Sequence, residues 1–215
     1  MASLIYIADP MCAWCYGITP ELEALREALP GLPVHVVAGG LRVGAAQVDE
    51  AYIDRLRGQW QEVAARAALP FDDRAVTTPG FNPDTEAACR AVVAARLLSP
   101  AAALPVCSAI LRAFHAEGRD VTRPQTLAAI AVPVLRGLGV ETDEAAFLER
   151  YASDETARAT LEDFLQTRRW GVDGFPALVL ERDGRLDLVS LGYRQLPQLV
   201  DTMLALVEAE AAPAE

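Results

Sequence analysis

The spacing of apolar residues changes character twice along the chain. Leu4-Ile5-Tyr6-Ile7-Ala8 is a short continuous apolar run of strand type, after which Ile18, Leu22, Leu25 and Leu29 recur with the period of a helix. A turn at Pro30-Gly31-Leu32-Pro33 leads into Val34-His35-Val36-Val37-Ala38-Gly39, a second run rich in β-branched residues. Strand, helix and strand in this order predict a βαβ unit with parallel strands and a right-handed crossover. Pro20 falls inside the helical pattern, where its missing N–H predicts a bend.

From about residue 41 to 168 the pattern is helical, with no convincing strand. Ile53, Leu56, Trp60, Val63 and Ala67 share one face, and Asn82-Pro83-Asp84 reads as the start of a second helix. Further helices are predicted over about 101–115, 124–138 and 143–151, with Pro105 and Pro133 as boundaries or kinks. Ser153-Asp154-Glu155 then caps a helix whose buried stripe is expected to be Ala157, Leu161, Phe164 and Leu165. Strand pattern returns over 177–181 and 186–189. Asp183-Gly184 between the two runs is a strong hairpin signal, since both residues tolerate positive φ. A closing helix with Leu196, Leu199, Val200, Met203, Leu204 and Val207 on one face precedes an acidic, Ala-rich tail, expected to fray from Glu208.

Composition limits the classes open to this fold. A length of 215 residues with 52% hydrophobic residues suffices for one well-buried domain, alone or carrying an insertion. The formal net charge of −11 argues against nucleic acid or an anionic membrane as partner, since either calls for a basic patch. All basic side chains are Arg. The first strand meets Asp9 before a secretory apolar core forms, and no later apolar run reaches membrane-spanning length, so a cytoplasmic protein is expected.

One stretch carries chemistry: Asp9-Pro10-Met11-Cys12-Ala13-Trp14-Cys15-Tyr16-Gly17, where the first strand passes into the first helix. With Asp9 as N-cap and Pro10 at the helix start, Cys12 is expected within the first turn, where unpaired N–H groups and the helix dipole favour an anion such as a thiolate. Cys15, three residues on, projects from the same side and can reach it. This predicts reversible thiol–disulfide exchange, with Cys12 attacking and Cys15 resolving. Two buried packing cysteines or half of a zinc knuckle are the alternatives. No metal is expected, because Cys89 and Cys107 stand far apart in helical stretches, where they read as buried structural residues, and His35 and His115 form no ligand pair.

The motif, the order βαβ–helices–ββα and the segment Gly171-Val172-Asp173-Gly174-Phe175-Pro176-Ala177 together resemble the DsbA-like thioredoxin-fold family over nearly the whole chain. Through Asp-Pro-Met-Cys-x-Trp-Cys the chain is more closely similar to the FrnE-like branch of dithiol–disulfide oxidoreductases. The resemblance implies an α/β fold with a thioredoxin-like domain at 1–40 and 169–209, an all-helical insertion at 41–168 and a flexible tail at 210–215. It also implies that Pro176 is a cis-proline facing the cysteines. A cis bond would turn the backbone of Phe175 outward to pair with an extended substrate, its ring forming an apolar wall. Trp14 reads as a substrate contact on the rim, Trp60 and Trp170 as packing residues.

Strongly oxidising relatives carry His between the cysteines, whereas Ala13-Trp14 supplies no charge and Asp9 opposes one. A less stabilised reduced form means a lower potential, so the reading favours reduction or isomerisation of protein or small-molecule disulfides. No resident cofactor is implied, and glutathione is the candidate electron donor or substrate. Two alternatives stay open: a glutathione-dependent transferase or isomerase of the kappa-class or 2-hydroxychromene-2-carboxylate isomerase type, and a redox-inactive binding module around Trp14 and Phe175. The first typically carries Ser where this chain has Cys12.

Overall fold

The computed structural model describes residues 2–44 and 48–211. The central strand is β1 (Ala2–Ala8). It pairs in parallel with β2 (Val34–Ala38), register Leu4↔Val34 to Ala8↔Ala38, and antiparallel with β3 (Ala177–Arg182), giving the order β2-β1-β3-β4 with β4 (Arg185–Leu191) at the edge. The β3–β4 hairpin turns through Asp183 (φ 49°) and Gly184 (φ 83°), the positive angles its Asp-Gly pair was expected to adopt.

Between β1 and β2 lie α1 (Ala13–Gly17) and α2 (Thr19–Ala28). The expected bend at Pro20 is a break at Ile18. Pro20 takes the second position of α2, and the Tyr16 carbonyl that its missing N–H would have bonded accepts Thr19 Oγ1 at 2.7 Å.

Between β2 and β3 come α3 (Glu50–Ala67), the unanticipated short α4 (Arg74–Thr77), α5 (Glu86–Leu98), α6 (Ala103–His115) after a 3₁₀ turn, α7 (Pro124–Gly137), α8 (Glu144–Ala152) and α9 (Asp154–Arg169). The Asn82 signal does not start α5. Thr85 is the N-cap instead, held where its N–H and Oγ1 pair with the backbone of Arg42. The buried small side chains Ala88, Ala91, Ala94 and Ala95 let neighbouring elements approach α5 closely.

Besides apolar packing, α5 and α9 attach to the sheet through polar groups. Among the described residues β2 has no strand on its outer side, and its edge is closed by α5 and α9: Ala38 N–H donates to Asp163 Oδ2 (2.8 Å) and Arg96 Nη1 donates to the Val36 carbonyl (2.7 Å). Arg96 and Asp163 also form a two-pronged ion pair at 2.8 and 2.9 Å. Of the stripe expected for α9, Phe164 is buried but the two leucines are not. The buried residues of the helix are Thr156, Thr160, Asp163, Phe164 and Thr167, while Leu161 is 56% and Leu165 39% exposed. A helix docked on a bare strand edge must supply hydrogen-bonding partners, and that requirement outweighs burial of two leucines.

The closing helix α10 (Leu196–Ala211) buries Leu199 and Met203 against the core, but Leu204 and Val207, placed on the same face by the sequence reading, are exposed. Its backbone stays helical past Glu208, where fraying was expected; residues 212–215 of the expected tail lie outside the described residues.

Candidate functional site

Where β1 ends, Asp9 is fully buried. Its Oδ1 accepts the Met11 N–H at 2.8 Å, and its Oδ2 accepts the Leu41 N–H at 2.7 Å and the Cys89 thiol at 3.4 Å. Asp9 therefore closes a tight turn on itself and ties that turn to the loop after β2 and to α5, and it does not cap a helix. The helix starts later than the sequence suggested, at Ala13. Cys12 is the N-cap, with extended backbone (φ −84°, ψ 119°) and its N–H on the Asp9 carbonyl at 3.0 Å. The dipole behind Cys12 is that of the five-residue α1. Gly17 at its end is required by close approach, since a Cβ there would lie 2.7 Å from Val63 Cγ1 of α3.

The two cysteines are free thiols in unequal settings. Cys12 retains 5% exposure and Cys15 none, so Cys12 is the one turned toward the outside. The Cys12 thiol donates to the Phe175 carbonyl at 3.6 Å, across to the loop before β3, where the Phe175–Pro176 peptide is cis. The carbonyl expected to be free for substrate thus holds the Cys12 thiol in this state. The ring of Phe175, half-buried, lies on Gly39, where a Cβ would come within 2.4 Å of Cε1; only glycine leaves room for it.

Trp14 is half-buried and engaged. Its ring lies 6.0 Å from that of Tyr193 and 5.3 Å from the Arg66 guanidinium, so the side chain is braced by two neighbours. Tyr193 is in turn held by its hydroxyl on Glu21 Oε1 at 3.2 Å. The loop tied to Asp9 adds two exposed apolar side chains, Leu41 and Val43.

Below the surface, burial dominates the electrostatics. It pushes the Cys15 thiol well above the ordinary range; hydrogen bonding to Cys12 and the charges of Cys12 and Asp9 act in the same direction, and the backbone of Asp9 acts against them. Burial also raises Asp9 despite its hydrogen bonds, and raises Cys89 and Cys107, the latter to about 12, with the Asp9 charge adding in both. Both outlying cysteines are buried in helices, Cys89 in the bond to Asp9 and Cys107 within the apolar core. Among the described residues, no three His, Cys, Asp or Glu side chains converge as metal ligands would.

Several residues near the cysteines went unread in the sequence. Tyr6 reads only as part of the first strand, His115, Tyr193, Arg66 and Gly39 are distant from them along the chain, and Asp9 carries the signature of a helix cap. His115 is fully buried among Tyr16, Trp60, Phe71 and Phe114, its ring stacked 5.1 Å from that of Tyr16. Only the Gly39-Gly40 pair beside a strand end offered a local sign of close approach.

With this geometry the chain can be set beside known proteins. No functionally curated protein matches it. Among solved structures, a Nitrosomonas europaea protein provisionally named a protein disulfide isomerase is 32% identical, with TM-score 0.85 over 97% of this chain and 98% of the other. The cytosolic disulfide reductase DsbM of Pseudomonas aeruginosa superposes with TM-score 0.72 at 24% identity, covering 98% of this chain and all of DsbM (100%). A 2-hydroxychromene-2-carboxylate isomerase shares the fold at TM-score 0.66 and 19% identity over 97% of both chains. The model of the DSBA-like thioredoxin domain matches residues 4–203, and the chain belongs to that family of thiol–disulfide oxidoreductases.

Proposed function

We propose that this chain is a cytoplasmic, FrnE-like dithiol–disulfide oxidoreductase that acts on protein or small-molecule disulfides through Cys12 and Cys15. The observation that carries the reading is the unequal pair: one thiol faces the Phe175 carbonyl at 3.6 Å on the open side, and the other is sealed behind it. The Cys12 thiolate attacks a substrate disulfide and forms a mixed disulfide. Cys15 then attacks Cys12 and releases the reduced substrate, two electrons passing from the dithiol.

Trp14, Phe175 and Pro176 form the substrate-contacting wall, joined by Leu41 and Val43. The thioredoxin-like unit at 1–40 and 169–209 holds the chemistry, and the helical block at 41–168 backs it. Net reduction or isomerisation fits a dipeptide, Ala13-Trp14, that brings no positive charge between the cysteines. DsbM, similar in fold, has been solved with GSH, which supports glutathione as the donor to be tried first.

The test is a redox titration of the Cys12/Cys15 couple in glutathione buffers, read by thiol trapping, with Cys12→Ser as control. A reversible two-electron transition lost in the variant is expected, with a midpoint nearer the cytosolic glutathione poise than that of a DsbA-type oxidant, roughly −120 mV. Failure to form the disulfide at any poise sinks the reading. Glutathione-dependent isomerisation, favoured by the isomerase neighbour, would then be assayed next.

A further inference from the structure

The release or attack of Cys15 puts negative charge on a sulfur with no exposed surface, in a place where burial opposes the thiolate. Some group must compensate that charge as it develops. Asp9 supplies its backbone but also an opposing carboxylate, and Cys12 is the reacting partner. A further polar group that meets Cys15 is the hydroxyl of Tyr6, on the central strand. Its side chain is fully buried, and its Oη donates to the carbonyl of Cys15 itself at 3.1 Å. Beyond burial, Cys15 acts on that hydroxyl more strongly than any other ionisable group, ahead of Cys107 and Cys12. The hydroxyl is thus held, fully buried, against the residue whose sulfur reacts.

We propose that Tyr6 is a catalytic residue whose hydroxyl turns onto the Cys15 sulfur and hydrogen-bonds it while that sulfur carries negative charge. The proposal rests on the dithiol reading above. In the resolving step the Cys15 sulfur bonds to the Cys12 sulfur, the bond between Cys12 and the substrate sulfur breaks, and the electron pair leaves with the substrate thiolate. That thiolate ends with the proton Cys15 has given up. In reverse, an incoming thiolate bonds to Cys12 and Cys15 departs with the electron pair. Tyr6 contributes a hydrogen bond in both directions and transfers no proton.

Tyr6→Phe removes the hydroxyl and keeps the ring. The experiment mixes the reduced protein with dithiobis(nitrobenzoate), whose released aromatic thiol reports attack by Cys12 as a first phase and attack by Cys15 as a second. Wild-type protein releasing two equivalents of aromatic thiol, with Cys15→Ser stopping after the first, supports the dithiol reading independently of Tyr6; release of only one equivalent by the wild type overturns that reading, and the reagent is kept in enough excess for the first attack to outpace the second. In Tyr6→Phe the first phase stays within about twofold and the second slows roughly tenfold, the lower range for a lost hydrogen bond to a charged group. Thiol-driven opening of the Cys12–Cys15 disulfide slows by the same factor, so the midpoint of the couple is unchanged. A site-specific 3-fluorotyrosine at position 6, a stronger donor of nearly the same shape, speeds both directions, and decides the matter if Tyr6→Phe does not fold. An unchanged second phase, slowing of both phases together, a displaced midpoint or no acceleration with fluorotyrosine would overturn the proposal.

Discussion

Burial of His115 makes the protein's stability depend on pH in a calculable way. Its Nδ1 faces the Leu111 carbonyl at 2.9 Å. A carbonyl only accepts, so in the neutral ring Nδ1 carries the proton and Nε2 is left without a partner. Burial lowers its pKa from 6.5 to about 4, outweighing the carbonyls of Leu111 and Met11, which favour the cation. A depressed histidine stabilises the fold fully above its unfolded value and loses that contribution as pH falls through the folded one. The window is therefore pH 6.5 down to about 4. The full loss is about 3 kcal/mol, of which roughly 2 kcal/mol has gone by pH 5.

The perturbation is His115→Phe, which keeps an aromatic ring against Tyr16 and cannot titrate. Urea denaturation of both proteins by circular dichroism, in steps from about pH 7.5 to pH 4.5, gives two stability curves. Groups common to both cancel in the difference, including Asp9, whose raised value acts in the opposite sense: its contribution is present at low pH and lost as pH rises. The variant should gain on the wild type by roughly 2 kcal/mol between neutral pH and pH 5. A flat difference would refute the neutral, desolvated histidine and the aromatic nest that enforces it.

Other expectations follow from single contacts. Asp9→Ala leaves the buried N–H groups of Met11 and Leu41 without acceptors and should lower stability by about 2 to 4 kcal/mol, read by urea titration. Arg96→Met should cost about 2 to 3 kcal/mol in the same assay. Arg96→Met/Asp163→Leu should recover little of it, because both side chains also satisfy the backbone of β2; full recovery would show that the edge needs no closing. Gly39→Ala places a Cβ 2.4 Å from the Phe175 ring and should cost about 1 to 3 kcal/mol from overpacking, with slower turnover of a mixed-disulfide substrate; an unaltered thermal midpoint and rate would show that the ring moves freely.

The sequence by itself determined the strands, the long helices and the family. Periodicity marked all four strands and the long helices, the Asp183-Gly184 pair fixed the hairpin, and Cys12, Cys15 and the 171–177 segment pointed to the family, because each of these signals is local. Tertiary structure decided what depends on partners far along the chain. Asp9 reads as a cap only while Leu41 and Cys89 are out of view; once both reach it, the carboxylate is occupied and the helix starts at Ala13. The buried side of α9 follows the same logic. Hydrophobic periodicity favoured Leu161 and Leu165, but a bare strand edge calls for Asp163 and Thr167, since an unpaired buried peptide group costs more than an exposed leucine loses. A one-dimensional pattern records which residues avoid water, whereas the burial of a polar group is settled only by the group that meets it.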